Sequence, residues 1–455
     1  MLKAAFHNLG CKVNTYEFQI MQQSMEKAGY EIVPFSEKAD IYIVNTCSVT
    51  NIADRKSRQM LHKAKKLNPQ AIVVAVGCYA QTDTELSGRD ETVDIIVGNN
   101  HKSDIVGIIE GYLKDHSQDR VVEDLGKEPE YEQGALCYSS ERTRVDIKIQ
   151  DGCNQFCTYC IIPYARGRIR SRDLEDIVKE VETLALGGYK EMVLTGIHLS
   201  SYGLDRHKDA EGKTPSYNSL ADKGEYTNRD LLEVIDRVSD IPSIERIRLG
   251  SLEPRVITEE FLKRISDNPK VCPHFHLSLQ SGCDETLKRM NRHYTTQDYL
   301  HRVEMIRSYY EHPAITTDII VGFPGETEEE FEKTAAYLDE VRFYETHLFK
   351  YSKRKGTVAA NMDGQLTDAV KAERSDVLSV KNELYSRRFR EELIGKNVTV
   401  LTEESRMIKG KLYTLGHTAD YVYAAVPGEL EDNQFVTAVA EGFLENDILL
   451  LKKEG

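Results

Sequence analysis

The stretch "DGCNQFCTYCIIPYARGRIRSR" places Cys153, Cys157 and Cys160 in a C-x3-C-x2-C spacing. Three thiolates this close in one loop point to a metal centre, and their number decides which kind. A structural zinc site closes its tetrahedron with four ligands. No fourth Cys or His lies nearby: Cys137 is upstream, and the nearest downstream histidine is His198. Three thiolates instead hold three corners of a [4Fe–4S] cluster and leave one iron open. An open iron does nothing for stability, but it is what a chelating substrate needs.

A second set of cysteines is dispersed. Cys11, Cys47 and Cys78 each lie just past a short apolar run, in "LKAAFHNLGC", "ADIYIVNTCSVT" and "AIVVAVGC". In a parallel sheet, ligands gather outside the carboxyl ends of the strands. One such cysteine would read as a buried reduced thiol. Three at matched strand ends are expected to converge on a second cluster. Gly10 and Gly77 precede two of them, as expected where backbone passes close to a bulky group.

The elements that must position these residues follow from the apolar pattern. Residues 1–114 alternate strands, near 3–7, 40–45, 71–76 and 93–97, with helical segments, one of them about 52–67. That predicts a doubly wound parallel sheet. Residues 115–143 are polar and unpatterned, which suits a linker. From 144 to 365 six strand signals recur, at 144–149, 191–196, 246–251, 274–282, 316–323 and 346–352. Six βα units fit a partial (β/α)6 TIM-type barrel with its chemistry at the C-terminal strand ends. Thr327 and Glu330 form a capping box after "GFPGE". Residues 203–228 lack periodicity and read as a mobile insertion. A helical connection over 366–392 leads to a small all-β domain over 393–455, read as a barrel. The fold class is therefore α/β multidomain.

A chain of 455 residues suits two to four domains. Its net charge of −15 argues against a protein that coats nucleic acid without specificity, but not against local basic surfaces. Two such surfaces are "RKSRQMLHKAKK" from Arg55 and "RGRIRSR" from Arg166. The first reads equally as a solvated helix face. In the second, Arg166, Arg168, Arg170 and Arg172 alternate, so an extended segment would present them on one side. They serve either RNA phosphate or ion pairs with neighbouring acids. No apolar run approaches the ~20 residues of a membrane span. The first residues lack a secretory pattern, so a cytoplasmic location is expected and the nine cysteines are read as ligands or core rather than disulfides. Cys137, Cys272 and Cys283 are assigned to packing.

With its C-x3-C-x2-C after the first barrel strand, the chain resembles the radical S-adenosylmethionine superfamily. The resemblance implies that the open iron binds the amino and carboxylate groups of S-adenosylmethionine, whose reductive cleavage yields a 5′-deoxyadenosyl radical. It also implies methionine or ribose contacts from Thr195 and Gly196 in "LTGIHLSSYG" and from Ser251 and Glu253 in "SLEP", with "DIIVGFPGE" beside the adenine. The whole layout is similar to the methylthiotransferase family: an N-terminal cluster domain, a radical barrel and a C-terminal TRAM domain. "GCKVNTYE" and "NTCSVTNIA" resemble the branch acting on N6-threonylcarbamoyladenosine in tRNA, beside the anticodon; isopentenyladenosine enzymes read more like GCQMN and ribosomal-protein enzymes more like GCPKN. This resemblance implies two [4Fe–4S] clusters ligated by Cys11, Cys47, Cys78, Cys153, Cys157 and Cys160. It further implies S-adenosylmethionine, a tRNA anticodon stem-loop as substrate and an electron donor such as flavodoxin or ferredoxin. Competing readings are the isopentenyladenosine substrate, a ribosomal-protein aspartate, and, from another class, a zinc-stabilised RNA-binding protein.

Overall fold

Six short runs rich in β-branched residues build the first sheet: β1 (Lys3–Asn8), β2 (Glu31–Val33), β3 (Ile41–Thr46), β4 (Ile72–Gly77), β5 (Ile95–Val97) and β6 (Arg120–Val121). All pair in parallel, in the order β2-β1-β3-β4-β5-β6. The computed structural model describes residues 1–83, 91–116, 120–127, 130–138, 143–223 and 226–452. Alternation along the strands puts apolar side chains on both faces, so both must be covered. On one face Tyr42, Val44, Val73 and Ala75 pack against Leu61 and Ala64 of α2 (Asn51–Leu67). On the other, Ile41, Ile43, Val74 and Val76 meet Met21 and Met25 of α1 (Lys12–Lys27) and Ile105, Ile108 and Ile109 of a later helix. The sheet is doubly wound, as expected.

The stretch expected to be a plain linker departs from that reading. It supplies β6, and it buries Leu125 and Leu136. Tyr131 donates to the Lys148 carbonyl at 2.9 Å. Its polar composition hid a few anchoring apolar and aromatic residues.

Beyond it, β7 (Arg144–Lys148), β10 (Glu191–Thr195) and β11 (Arg246–Leu249) form one parallel sheet. A second contains β12 (His274–His276), β13 (Ala314–Val321) and β14 (Glu345–Lys350). Bridges Ile247–Val271 and Leu252–Leu277 join them, so six strands follow one another in a curved succession. A two-stranded ribbon, β8 (Gln150–Asp151) with β9 (Arg170–Ser171), brackets the cysteine loop.

The two faces of this succession differ. Val145, Ile147, Met192, Leu194, Ile247, Leu249, Phe275, Ile315 and Ile319 join the large core beneath the surrounding helices. By strand alternation, the inner face receives Arg144, Asp146, Lys148, Glu191, Arg246, Arg248, His274, His276, Asp318 and His347. Such an interior is usually filled with bulky aliphatics. Here it is ionisable.

The segment read as a mobile insertion is packed instead. Leu204, Tyr217 and Ala221 form a small buried cluster, and the Tyr217 hydroxyl donates to Glu253 Oε2 at 2.6 Å. One aromatic anchor outweighs the polar composition around it. A long helix, Asp368–Glu391, then leads to five strands: β15 (Asn397–Ile408), β16 (Lys411–Thr418), β17 (Tyr423–Pro427), β18 (Phe435–Phe443) and β19 (Leu449–Lys452). They close into a barrel in the order β15-β16-β17-β19-β18. This barrel caps the N-terminal ends of β7 and β11. Arg144 pairs with Glu403 at 2.9 Å, and Arg248 donates to the carbonyls of Ala419 and Thr418. No described helix is long and apolar enough to cross a membrane.

Candidate functional site

Parallel pairing of β1, β3 and β4 brings the three N-terminal cysteines to one rim. Cys11 caps α1, Cys47 follows β3, and Cys78 opens the short helix α3 (Cys78–Thr82). Each sulfur lies near the start of a helix, where backbone N–H groups favour negative charge. The Asn14 and Val49 amides are directed at the Cys11 and Cys47 sulfurs. Four asparagines tie the rim together. Asn14 donates to the carbonyls of Leu9 and Thr46. Asn45 donates to Asn8 Oδ1 and the Asn14 carbonyl. Asn99 Nδ2 lies 3.4 Å from Cys78 Sγ and donates to Ala165 O at 2.7 Å.

The two glycines do serve close approach, but to protein. Gly77 has φ +96°, and a Cβ there would stand 2.7 Å from both Asn45 Oδ1 and Thr46 O. Gly10 has φ +124°, with the Asn14 amide 2.7 Å from the same point.

The second trio is held locally. Cys153 N donates to Gly167 O and Cys160 N to Cys157 O. Thr158 donates through its amide to Met290 O and through its hydroxyl to Arg289 O at 2.9 Å. Asn291 Nδ2 donates to Phe156 O at 3.2 Å, supporting a residue held at φ +49°. Arg292 Nη1 lies 3.3 Å from Cys157 Sγ. Neither Arg292 nor Asn99 was foreseen, because nothing in their local sequence marks them as neighbours of a thiol.

The thiols suit a cationic metal centre. Burial, then repulsion from a sibling cysteine, pushes Cys153 and Cys47 up to about 12. The same causes raise Cys160, and burial raises Cys11. Crowded thiols of this kind ionise when a metal supplies compensating charge. Among the described residues, only His276, Asp318 and His347 bring three ligand atoms within 4.8 Å of one another. Both cysteine trios are wider, whereas sulfurs on one zinc ion sit roughly 3.8 Å apart. The wider spacing fits a polynuclear cluster.

A cavity of about 260 Å³ is lined by Cys160 and by residues just after Cys47. Val49 and Thr50, just after Cys47, form one wall, and Tyr159, Cys160 and Ile161 another; Asp318, Ile320 and Tyr351 complete it from β13 and β14. Cys11 and Lys12 are solvent-exposed, with charged groups of β7, β10 and β11 as electrostatic neighbours of Lys12.

"RGRIRSR" resolves in favour of ion pairing at three of its four arginines. Arg166 is fully buried: Nη1 donates to Glu17 at 2.8 Å and to Asp151, and Nη2 to Asn14 Oδ1 at 2.6 Å. Arg170 is buried beside Asp151, and Arg172 pairs with Glu180 and Tyr16. Only Arg168 is partly open, lying 4.5 Å over the Phe156 ring. These arginines bind the first sheet to the cysteine loop. On α2, by contrast, Arg55, Lys56, Lys63 and Lys66 are exposed.

The remaining expected contacts share one rim. Thr195 ends β10, and a Cβ at Gly196 would stand 2.9 Å from Gln150. Ser251 is exposed just past β11. Glu253, expected beside the methionine or ribose, is braced by protein partners. Its carboxylate accepts from Tyr217, from Arg255 Nε at 2.7 Å and from Arg255 N at 2.8 Å, which makes it a buried brace. His198, unremarked in sequence, is half-buried with an Nε2 that has no partner among the described residues, and burial pushes it down to about 4. Cys272 and Cys283 are buried and Cys137 exposed, and none joins either trio.

Comparison with known proteins agrees with this geometry. Residues 147–338 match the radical SAM superfamily, and residues 3–98 match the uncharacterized protein family UPF0004. The chain is 38% identical to a threonylcarbamoyladenosine tRNA methylthiotransferase, MtaB, of Bacillus subtilis, covering 94% of this chain and 91% of that protein. It is 40% identical to the protein of the same name from Aquifex aeolicus, covering 90% and 94%. A tRNA-2-methylthio-N(6)-dimethylallyladenosine synthase of Thermoanaerobacter pseudethanolicus is 37% identical, covering 87% and 80%. Among solved structures, the radical S-adenosylmethionine methyltransferase TsrM from Kitasatospora setae aligns with TM-score 0.53 and 16% identity, over 77% of this chain and 73% of that one. That likeness speaks to fold alone.

Proposed function

Because the chain belongs to the radical S-adenosylmethionine methylthiotransferase family, we propose that it methylthiolates C2 of N6-threonylcarbamoyladenosine in tRNA. The observation that carries this reading is the shared cavity: residues following Cys47 and the Cys160 loop line one chamber. Sulfur insertion into a C–H bond needs a radical source and a sulfur source at one carbon. Bound at the two trios, [4Fe–4S] clusters with S-adenosylmethionine supply hydrogen abstraction, sulfur and methyl.

The chain's own residues do the rest. Cys153, Cys157 and Cys160 hold the cluster that leaves an iron open, with Arg292 beside Cys157. Cys11, Cys47 and Cys78 hold the second, its rim braced by asparagines. Thr195, Gly196, Ser251 and Glu253 contact S-adenosylmethionine at the strand ends. Apolar walls from Val49, Ile161 and Ile320 limit water around the reacting carbon. The sheet of residues 1–114 is the auxiliary-cluster domain, residues 144–365 the radical barrel and residues 393–455 a TRAM domain. The substrate adenosine lies beside the anticodon, presented by the anticodon stem-loop. A flavodoxin or ferredoxin delivers the electron in the cytoplasm.

Substrate polarity separates the two related tRNA readings. An isopentenyl group wants an apolar pocket, whereas a threonylcarbamoyl group brings a carboxylate that needs polar partners. The ionisable inner face supports the latter. Nucleoside mass spectrometry of tRNA from a deletion strain tests this. The 2-methylthio-threonylcarbamoyl nucleoside should vanish and its unthiolated precursor accumulate, with isopentenyl derivatives unchanged. Loss of the isopentenyl series instead would move the chain to the other tRNA branch. No change in tRNA would favour a protein substrate.

A further inference from the structure

The inner face of the six-strand succession holds an ammonium whose use the cluster chemistry does not explain. Lys12 follows cluster ligand Cys11 as the first residue of α1. That helix packs along β7, the edge strand, and so covers the open side of the curved sheet. The electrostatic neighbours of Lys12 are Asp146 and Arg144 of β7, Glu191 of β10 and Arg248 of β11, all inward-facing. The side chain therefore enters the chamber laterally.

Other inward cations of β7 and β11 are committed elsewhere. Arg144 pairs with Glu403, Lys148 with Glu17 and Asp151, and Arg246 and Arg248 with Glu191. Among the described residues the Lys12 ammonium donates no hydrogen bond, and Asp146 is its strongest electrostatic neighbour. Across the chamber stand the imidazoles of His274, His276 and His347, with the His276 and His347 rings stacked at 5.5 Å. His274 is 7% exposed, and its Nδ1 has no partner. The acids facing Lys12 and these rings are Asp146, Glu191 and Asp318. Glu191 is spent on two arginines, and Asp318 lies 3.3 Å from His276. An uncommitted ammonium and an orphaned imidazole nitrogen make this chamber receptive to an anion. Asp318 also lines the cavity beside Cys160, so the chamber opens onto the reacting centre.

We propose that Lys12 binds the carboxylate of the amino acid carried on the substrate base, drawing that arm into the inner chamber and so selecting the substrate. This rests on the tRNA reading above. A charge-assisted contact is strong, and a site built for it rejects an arm that lacks the charge.

The test is a double-mutant cycle between enzyme and RNA. Anticodon stem-loops bearing N6-threonylcarbamoyladenosine, or the same group with its carboxylate converted to the neutral carboxamide, are offered to the cluster-loaded wild type, Lys12→Gln and Lys12→Arg. Affinity is measured by RNA titration and kcat/KM by mass spectrometry, with iron and sulfide counts as a control for cluster loading. Wild type should favour the acid over the amide by roughly 10- to 100-fold. Lys12→Gln should erase that preference, mainly by losing the acid, and Lys12→Arg should restore part of it. If Lys12→Gln keeps the acid-to-amide ratio, or weakens both RNAs equally with loss of iron, Lys12 only supports Cys11 and the inference is overturned. If wild type modifies neither RNA, the substrate reading falls and takes this inference with it.

Discussion

The two cysteine trios are assembled by opposite means. Cys153, Cys157 and Cys160 belong to one loop, and hydrogen bonds to Arg289, Met290 and Asn291 fix its shape. Cys11, Cys47 and Cys78 come from three strands, and only the parallel order of β1, β3 and β4 brings them together. The first site has its ligand spacing set within a few residues and its shape held by one distant segment. The second is as precise as the sheet that carries it. Among the side chains that join them, Arg166, just past the loop, reaches Asn14 beside Cys11 and Glu17 on α1. Catalysis at a single carbon requires that the two sites keep a fixed separation, and this buried arginine is a strut.

The sharpest way to break the comparison is to remove one ligand from each site. Cys157→Ala should abolish S-adenosylmethionine cleavage, because the open iron that chelates it is lost. Cys47→Ala should lower iron at the N-terminal site and end sulfur insertion, while cleavage continues uncoupled. Iron counts and cleavage assays on both variants check this; equal loss of cleavage would join the roles that the geometry separates.

Cutting the strut comes next. Glu17 accepts from Arg166, Lys102 and Lys148 out of water. Glu17→Gln would leave buried cations short of a counter-charge, at a cost of about 3–5 kcal/mol in thermal or denaturant unfolding. Acid should act in the same direction. Burial pushes the Glu17 carboxyl up, but Arg166, Lys102 and Lys148 outweigh it and hold it well below the usual range. A carboxyl harder to protonate folded than unfolded adds stability above its unfolded value of about 4.3 and loses it as pH falls. The variant should show a flatter acid limb than wild type.

A smaller change sharpens the contrast within one site. Gly77→Ala forces a Cβ to 2.7 Å from Thr46 O at φ +96°, which costs about 1–3 kcal/mol. Iron bound at the N-terminal site should fall while the loop trio stays loaded, as read by separate cluster spectra in a Cys157→Ala background and in wild type. The smallest effect belongs to Arg168, the partly open arginine of its run. Arg168→Gln should weaken tRNA binding a few-fold and reduce the salt slope by roughly 0.7–0.9, one phosphate's worth. An unchanged slope would confine Arg168 to its contact with Phe156.

How much of this was readable in advance follows the same division. The capping box of Thr327 and Glu330 and the helix Asp368–Glu391 depend on neighbours a few residues away, and both formed as expected. The insertion at 203–228 did not stay loose, because Tyr217 finds Glu253, thirty-six residues on. Arg166, Arg170 and Arg172 look in sequence like a phosphate-binding strip. Their acids lie on α1, in β8 and on the helix Leu174–Leu186, none of which the local pattern names.

By itself the sequence determined the ligand types, the C-x3-C-x2-C loop, the strand alternation and hence which residues share a face, because each is set by covalent spacing and a repeat of two or 3.6 residues. Tertiary structure alone decided that the inner face is lined with charge from three strands and closed by the C-terminal barrel, and which buried acids Arg166, Arg170 and Arg172 meet. Those outcomes depend on sheet order and on where buried charges find partners. A buried ion seeks its counter-ion wherever the fold brings one near, and chain distance has no bearing on that search.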